Sequence, residues 1–181
     1  MIKSYISNLL ACLTSVCLPV AAIAAGGRLV SNPANLKGEY FTNPIVFSDY
    51  SDPDVTASPD GKTFYMTASS FQCAPGLPIL RSTDLVNWEL VNYAIKAVPP
   101  ADVYFTVKHG KGVWAPSIRC HNGEYYIYWG DPDVGVFMVR TADPEGEWSE
   151  PVLVVPGKGI IDTTPLWDDD GRLYKIGRAH V

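Results

Sequence analysis

The chain repeats a long pattern at a spacing of about 60 residues, and no other feature restricts its fold as tightly. The first copy is Pro78-Ile79-Leu80-Arg81-Ser82-Thr83-Asp84-Leu85-Val86-Asn87-Trp88. The second is Val136-Phe137-Met138-Val139-Arg140-Thr141-Ala142-Asp143-Pro144, followed by Trp148. Each is an apolar strand, then Ser or Thr, an Asp two residues on, and a Trp. Ahead of them lie short runs rich in Tyr, Val, Ile and Phe, set between Pro, Gly, Asn and Asp clusters, with little helical periodicity after residue 30. The expected fold class is all-β.

Three turn pairs punctuate the repeat. Asp60-Gly61 precedes Phe64-Tyr65-Met66, Asn122-Gly123 precedes Tyr125-Tyr126-Ile127-Tyr128, and Asp170-Gly171 precedes Leu173-Tyr174. Such pairs supply the left-handed backbone of a tight hairpin. Asp52 lies nine residues before Gly61, Ala115 eight before Gly123 and Asp162 nine before Gly171, so these three share one position in the unit. That unit is a four-stranded sheet, one blade of a propeller whose first strand starts near a central channel. A β-sandwich with evenly spaced strands is the competing arrangement, but a sandwich has no reason to repeat a whole turn-and-Trp pattern. By this count the chain holds about two blades and the start of a third.

The ends are expected to stand apart from the blades. Lys3 precedes an apolar run from Leu9 to Ile23 that ends in Ala22-Ile23-Ala24, which reads as a cleavable signal peptide over 1–25. The run is short for a membrane span, so a secreted or periplasmic protein with no membrane attachment after cleavage is expected. Leu9-Leu10-Ala11-Cys12 also resembles a lipobox, which leaves a lipoprotein as the alternative. Residues 26–42 form a lead-in and 43–175 the partial propeller domain. Residues 176–181 carry neither a turn nor a blade motif and match the translation of a sequencing adapter, so a non-native tail on a library fragment is expected there.

Removing the leader leaves Cys73 and Cys120, too few for a disulfide scaffold; two buried free thiols are the expected state, and one bridge between them is the alternative. The net charge of −5 is scattered along the chain, which argues against a nucleic-acid surface and suits a neutral, hydroxyl-rich ligand. Asp168-Asp169-Asp170 lacks the alternating ligands and following Glu of a calcium loop and reads as a solvated turn. No metal ion is expected at the site, and a structural calcium ion in the channel stays open as an alternative.

Glycosidic hydrolysis needs one carboxylic acid to protonate the leaving oxygen and one carboxylate to activate water or attack the sugar. Asp52, in Tyr50-Ser51-Asp52-Pro53-Asp54-Val55, and Asp162, in Ile160-Ile161-Asp162-Thr163-Thr164-Pro165-Leu166, occupy the same blade position. Both are expected to point into the channel from neighbouring blades. Asp54 would share the face of Asp52 as a structural partner, while Trp88 and Trp148 are expected in the core.

From Asn43-Pro44-Ile45 through Asp52-Pro53-Asp54, Tyr65-Met66-Thr67-Ala68-Ser69-Ser70-Phe71, Pro75-Gly76-Leu77-Pro78-Ile79 and Ser82 to Trp88, the first blade resembles glycoside hydrolase family 43. Gly112-Val113-Trp114-Ala115-Pro116-Ser117-Ile118-Arg119 resembles its second blade. The resemblance implies a five-bladed propeller and an inverting, exo-acting β-xylosidase or α-L-arabinofuranosidase that breaks down plant polysaccharide, with xylose- or arabinose-containing saccharides as partners. It implies Asp52 as general base, Asp162 as the carboxylate that tunes and orients the acid, and Phe71 and Trp114 as sugar-binding aromatics. No cofactor is implied. The family's general acid is a Glu in a later blade, and Glu124, Glu147 and Glu150 lack the position to replace it, so the 181 residues alone are expected to be inactive. Thr163 departs from the Pro that often follows the third-blade Asp. A propeller that binds carbohydrate without cutting it is the alternative; a hydrolase of fructosides would carry a different first-blade motif.

Overall fold

The computed structural model describes residues 27–35 and 40–179. The leader over 1–25, the lipobox cysteine and the last two residues lie outside the described residues. β1 (Arg28–Leu29), β2 (Asp54–Ala57), β3 (Phe64–Thr67), β4 (Gly76–Ser82) and β5 (Glu89–Ile95) form one antiparallel sheet in the order β1-β5-β4-β3-β2. A short helix, α1 (Ala101–Tyr104), leads to the second sheet. There β6 (Trp114–His121), β7 (Glu124–Asp131), β8 (Gly135–Thr141) and β9 (Val152–Pro156) follow in sequence order. A final hairpin pairs β10 (Ile160–Trp167) with β11 (Leu173–Ala179). The chain is thus two blades and the opening hairpin of a third.

All three expected hairpin turns form. Asn122 and Gly123 both take left-handed φ, 51° and 80°, between the paired residues His121 and Glu124, which makes a two-residue turn. At the other two only the glycine is left-handed, because the loops are longer: Ser58 N–H bonds Thr63 O at 2.7 Å and Asp168 N–H bonds Arg172 O at 3.0 Å. The Asp170 carboxylate accepts from Arg172 N–H at 2.8 Å, so the acidic run serves its own turn.

The repeated Ser/Thr-x-Asp-Trp signature has one structural job in both blades. Ser82 Oγ accepts from Asp84 N–H at 3.2 Å, and Thr141 Oγ1 accepts from Asp143 N–H at 3.1 Å. The indoles of Trp88 and Trp148 then donate back to Leu85 O and Pro144 O, each at 3.1 Å. These local bonds close the turn after the third strand and drop the Trp against apolar neighbours.

The main core lies between the two blades. Leu77, Ile79 and Ile95 of the first face Ile118, Ile127 and Trp129 of the second, all almost completely buried, with Trp148 packed at the margin. Burying each such side chain contributes about 1.5–3 kcal/mol. On the opposite face of the first blade, Met66, Leu80 and Trp88 are covered by Val30, Ile45 and Val46. Residues of the lead-in therefore join the first blade: β1 pairs with β5, Val30 N–H bonds Trp88 O at 3.0 Å, and Ser31 Oγ accepts from Trp88 N–H. At the other end β11 continues beyond Lys175, with Ile176 opposite Thr164. Both thiols are free, as expected, but neither is fully buried as expected, because Cys73 sits in the exposed loop ahead of β4 and Cys120 near the turn end of β6; the partial burial of Cys120 pushes its thiol up.

The final hairpin leaves Leu166, Leu173, Tyr174 and Ile176 exposed, and β9, the edge strand of the second sheet, leaves Val152 and Leu153 exposed. An apolar surface of that kind, next to an open strand edge, favours association between copies. Residues 25–175 expressed alone are expected to aggregate or to elute as broad oligomers in size-exclusion chromatography. A soluble monomer with one sharp thermal transition would contradict this.

Candidate active site

The three positions that share a place in the repeat also share a backbone geometry. Asp52, Ala115 and Asp162 have φ of 50°, 35° and 54°, the left-handed region that L-residues rarely adopt. At each, the inner strand of its blade carries one residue more than its partner. Trp114 opposes Gly130 and Ser117 opposes Tyr128, three steps against two; Ile161 opposes Arg178 and Thr164 opposes Ile176, again three against two. In the first blade Ser69 N–H bonds Ser51 O at 2.9 Å while Asp54 opposes Thr67, the same count. Each is a bulge whose first residue is left-handed, a device that bends a strand and re-aims a side chain.

Asp52 and Asp162 are exposed at their bulges, whereas Phe71 and Trp114 are half-buried. The two acids do not come from neighbouring sheets, contrary to expectation. β6 packs against both β2 and β10, so the Ala115 bulge of the second blade stands between them. The reason is chain order: each four-stranded unit contributes one inner strand, and the acids belong to the first and third units.

Phe71 pairs with Val113 through two backbone hydrogen bonds of 3.0 Å, which brings the end of the first blade onto the start of the second. Gly112 makes this approach possible, since a Cβ there would sit 2.5 Å from Phe71 O. Trp114 follows directly and its indole donates to Gly110 O at 2.8 Å. Phe71, Trp114 and Asp52 are therefore gathered around one interblade seam. A hollow of about 270 Å³ bordered by Ser51, Ser69 and Phe71 opens beside it. The loop over the seam is pinned by Tyr104, whose hydroxyl donates to the fully buried Asp131 carboxylate. Burial first, and then that bond, push the Tyr104 phenol up. His109 lies in the same loop, its Nδ1 3.4 Å from Gln72 Nε2.

Below the bulges the inner strands are tied by charge. The Asp54 carboxylate accepts from Ile118 N–H at 2.9 Å and from the Arg119 guanidinium, whose other nitrogen donates to Thr164 Oγ1 at 2.9 Å. One aspartate and one arginine thus span all three sheets, which gives Asp54 the structural part expected of it. Ser69, by contrast, had no part assigned in the sequence: its Oγ donates to Asp52 Oδ2 at 2.7 Å and accepts from Ala115 N–H at 2.9 Å. The only signal was its place in the run that leads to Phe71. Glu124, Glu147 and Glu150 lie at the Asn122-Gly123 end of the second blade, opposite the bulge, because Thr141 pairs with Tyr125 and the loop after Thr141 carries the latter two. Thr163 is buried and its Oγ1 has no partner among the described residues.

The model of glycosyl hydrolases family 43 matches residues 41–179. Among curated relatives, a β-xylosidase of Formosa agariphila is 33% identical over 134 residues, covering 72% of this chain and 22% of the relative. A non-reducing end α-L-arabinofuranosidase of Bacteroides ovatus is 33% identical over 144 residues, covering 77% and 26%. The chain therefore spans about a quarter of the length of these relatives. Among solved structures, a GH43 protein of Bacillus licheniformis superposes with a TM-score of 0.66 at 27% identity, covering 76% of this chain and 29% of that one. The likeness makes the described sheets part of a five-bladed propeller.

The Asp54 and Arg119 tie has a measurable consequence. Arg119→Leu leaves the Asp54 carboxylate with one donor fewer and Thr164 unpaired, and is expected to destabilise the complete gene product by about 1–3 kcal/mol. Denaturant melts of the variant against the parent read this directly; an unchanged midpoint would show that the tie contributes nothing.

Proposed function

The chain belongs to glycosyl hydrolase family 43, and on that premise we propose that it is the N-terminal part of an exported, inverting, exo-acting β-xylosidase or α-L-arabinofuranosidase. The observation that carries the reading is the repetition of one left-handed bulge with an aspartate on it in the first and third blades. Two acids presented by the same device at the channel end of their strands suit a chemistry that needs carboxylates around one bond. The names of the curated relatives supply the pentose, and the signal-like sequence over 1–25 supplies the export.

In this reading Asp52 takes a proton from water and Asp162 acts on the general acid through its charge. Phe71 and Trp114 present flat apolar faces to the C–H side of the sugar. The family resemblance implies a general acid on a later blade, and Glu124, Glu147 and Glu150, at the opposite end of the second blade, do not take its place. The chain by itself is accordingly proposed to bind weakly and to turn over nothing. A structural calcium ion in the closed channel stays compatible with this scheme, and the chemistry requires no cofactor.

In the complete gene product, Asp52→Ala is expected to lower kcat on aryl β-xyloside or aryl α-L-arabinofuranoside by on the order of a hundredfold to ten-thousandfold, with the melting temperature little changed. Retained turnover would remove Asp52 from the role of base. Absence of activity in the parent, with saccharide binding intact, would favour the non-catalytic propeller.

A further inference from the structure

The second blade has no acid at its bulge, yet its backbone reaches the acid of the first. Ala115 occupies the place that Asp52 and Asp162 hold in their own sheets, with the same left-handed φ. That conformation leaves its N–H out of the β6–β7 ladder, and the N–H donates to Ser69 Oγ at 2.9 Å. Ser69 is buried, 7% exposed, and stands across from the Asp52 bulge.

A hydroxyl has one proton and two lone pairs. The Ala115 N–H engages a lone pair, and the 2.7 Å contact to Asp52 Oδ2 takes the proton, since an ionised carboxylate only accepts. The direction of the chain of bonds is thereby fixed from the second blade to the first. Asp52 Oδ2 is occupied, while Oδ1 accepts no hydrogen bond from the described residues.

We propose that Ser69 is a positioning residue for the Asp52 carboxylate, holding Oδ2 so that Oδ1 is the oxygen presented to the attacking water. The proposal rests on Asp52 being the general base. In the displacement the water oxygen bonds to the anomeric carbon as the glycosidic C–O bond breaks. One water proton passes to Oδ1, and the leaving oxygen takes a proton from a separate carboxylic acid. Ser69 exchanges no proton in this step. It fixes the approach angle, and through Ala115 it makes that angle depend on how the second blade packs on the first.

The test is steady-state kinetics of the complete gene product on aryl β-xyloside and aryl α-L-arabinofuranoside. Ser69→Ala is expected to lower kcat by roughly tenfold to a hundredfold with KM within about twofold, as for a reacting group left free to misalign. Ser69→Thr keeps the hydroxyl and is expected to recover most of that loss. If Ser69→Ala does not fold, Ser69→Cys replaces it, similar in size but a weak donor, and is expected to show the same selective loss in kcat. Parent-like kcat in Ser69→Ala or Ser69→Cys would overturn the proposal. So would equal loss in Ser69→Thr and Ser69→Ala, or a loss confined to KM, since each would mark Ser69 as packing. Asp52→Asn run alongside separates the two levels: an active Asp52→Asn removes the base itself, whereas an inactive one beside an unaffected Ser69→Ala removes only the positioning role.

Discussion

Each inner strand begins with one residue too many, and that surplus decides what the channel end of the molecule can present. In a regular ladder, successive side chains alternate between the two faces of the sheet, and both faces of an inner strand look toward other blades. A side chain meant for the axis has to leave this alternation. The bulge achieves it by placing one residue in the left-handed region, at a cost of about 1–2 kcal/mol for a residue with a Cβ. Aspartate tolerates that conformation better than most residues, which suits Asp52 and Asp162; Ala115 has no such ease. The interblade core, with Ile118, Ile127 and Trp129 fully buried, is large enough to offset the strain.

The seams between sheets divide into two kinds, and the division follows from distance to the axis. Away from it the sheets splay, and large apolar side chains such as Leu77, Trp129 and Phe137 fill the wedge. Close to it the sheets approach until backbone meets backbone, as where Gly130 of β7 meets Ile160 at the start of β10. A Cβ on Gly130 would lie 2.7 Å from Ile160 O, so only glycine fits where the second blade meets the third. With so little room, cohesion there has to come from hydrogen bonds, and the Asp54, Arg119 and Thr164 chain provides them without bulk. The same crowding lets Ala115 N–H reach Ser69 Oγ.

What the sequence made legible were the features with a local cause. Gly61, Gly123 and Gly171 mark the hairpins because each turn needs a left-handed residue at a fixed offset. Trp88 and Trp148 mark the outer part of each blade because the Ser/Thr-x-Asp turn that seats them is built from neighbours in the chain. The acids were legible by their distance from those glycines. Features with a non-local cause left no such trace. β1 joins β5 across about 60 residues of chain, and nothing within Arg28-Leu29 announces an edge strand. Arg119 looks like any arginine until β2 and β10 are laid on either side of it. The placing of Asp52 and Asp162 in adjacent sheets failed for the same reason, since equal spacing gives equivalence of position without giving adjacency.

The two acids are held with unequal firmness, and the inequality fits the parts proposed for them. Asp52 has one oxygen fixed by Ser69, and the residue after it is Pro53, which has no N–H to leave unpaired at the bulge. Asp162 is followed by Thr163, a buried residue whose hydroxyl finds no partner among the described residues, and the Asp162 carboxylate accepts no bond from them either. A base must meet a proton within about 2.6–3.2 Å, so a small error in aim removes the transfer. A carboxylate that acts by its field loses influence only as the inverse of distance, and a shift of a fraction of an ångström changes little. A site can therefore spend its rigid contacts on the first acid and leave the second to looser support, and the departure at Thr163 falls at the bulge where imprecision is cheapest.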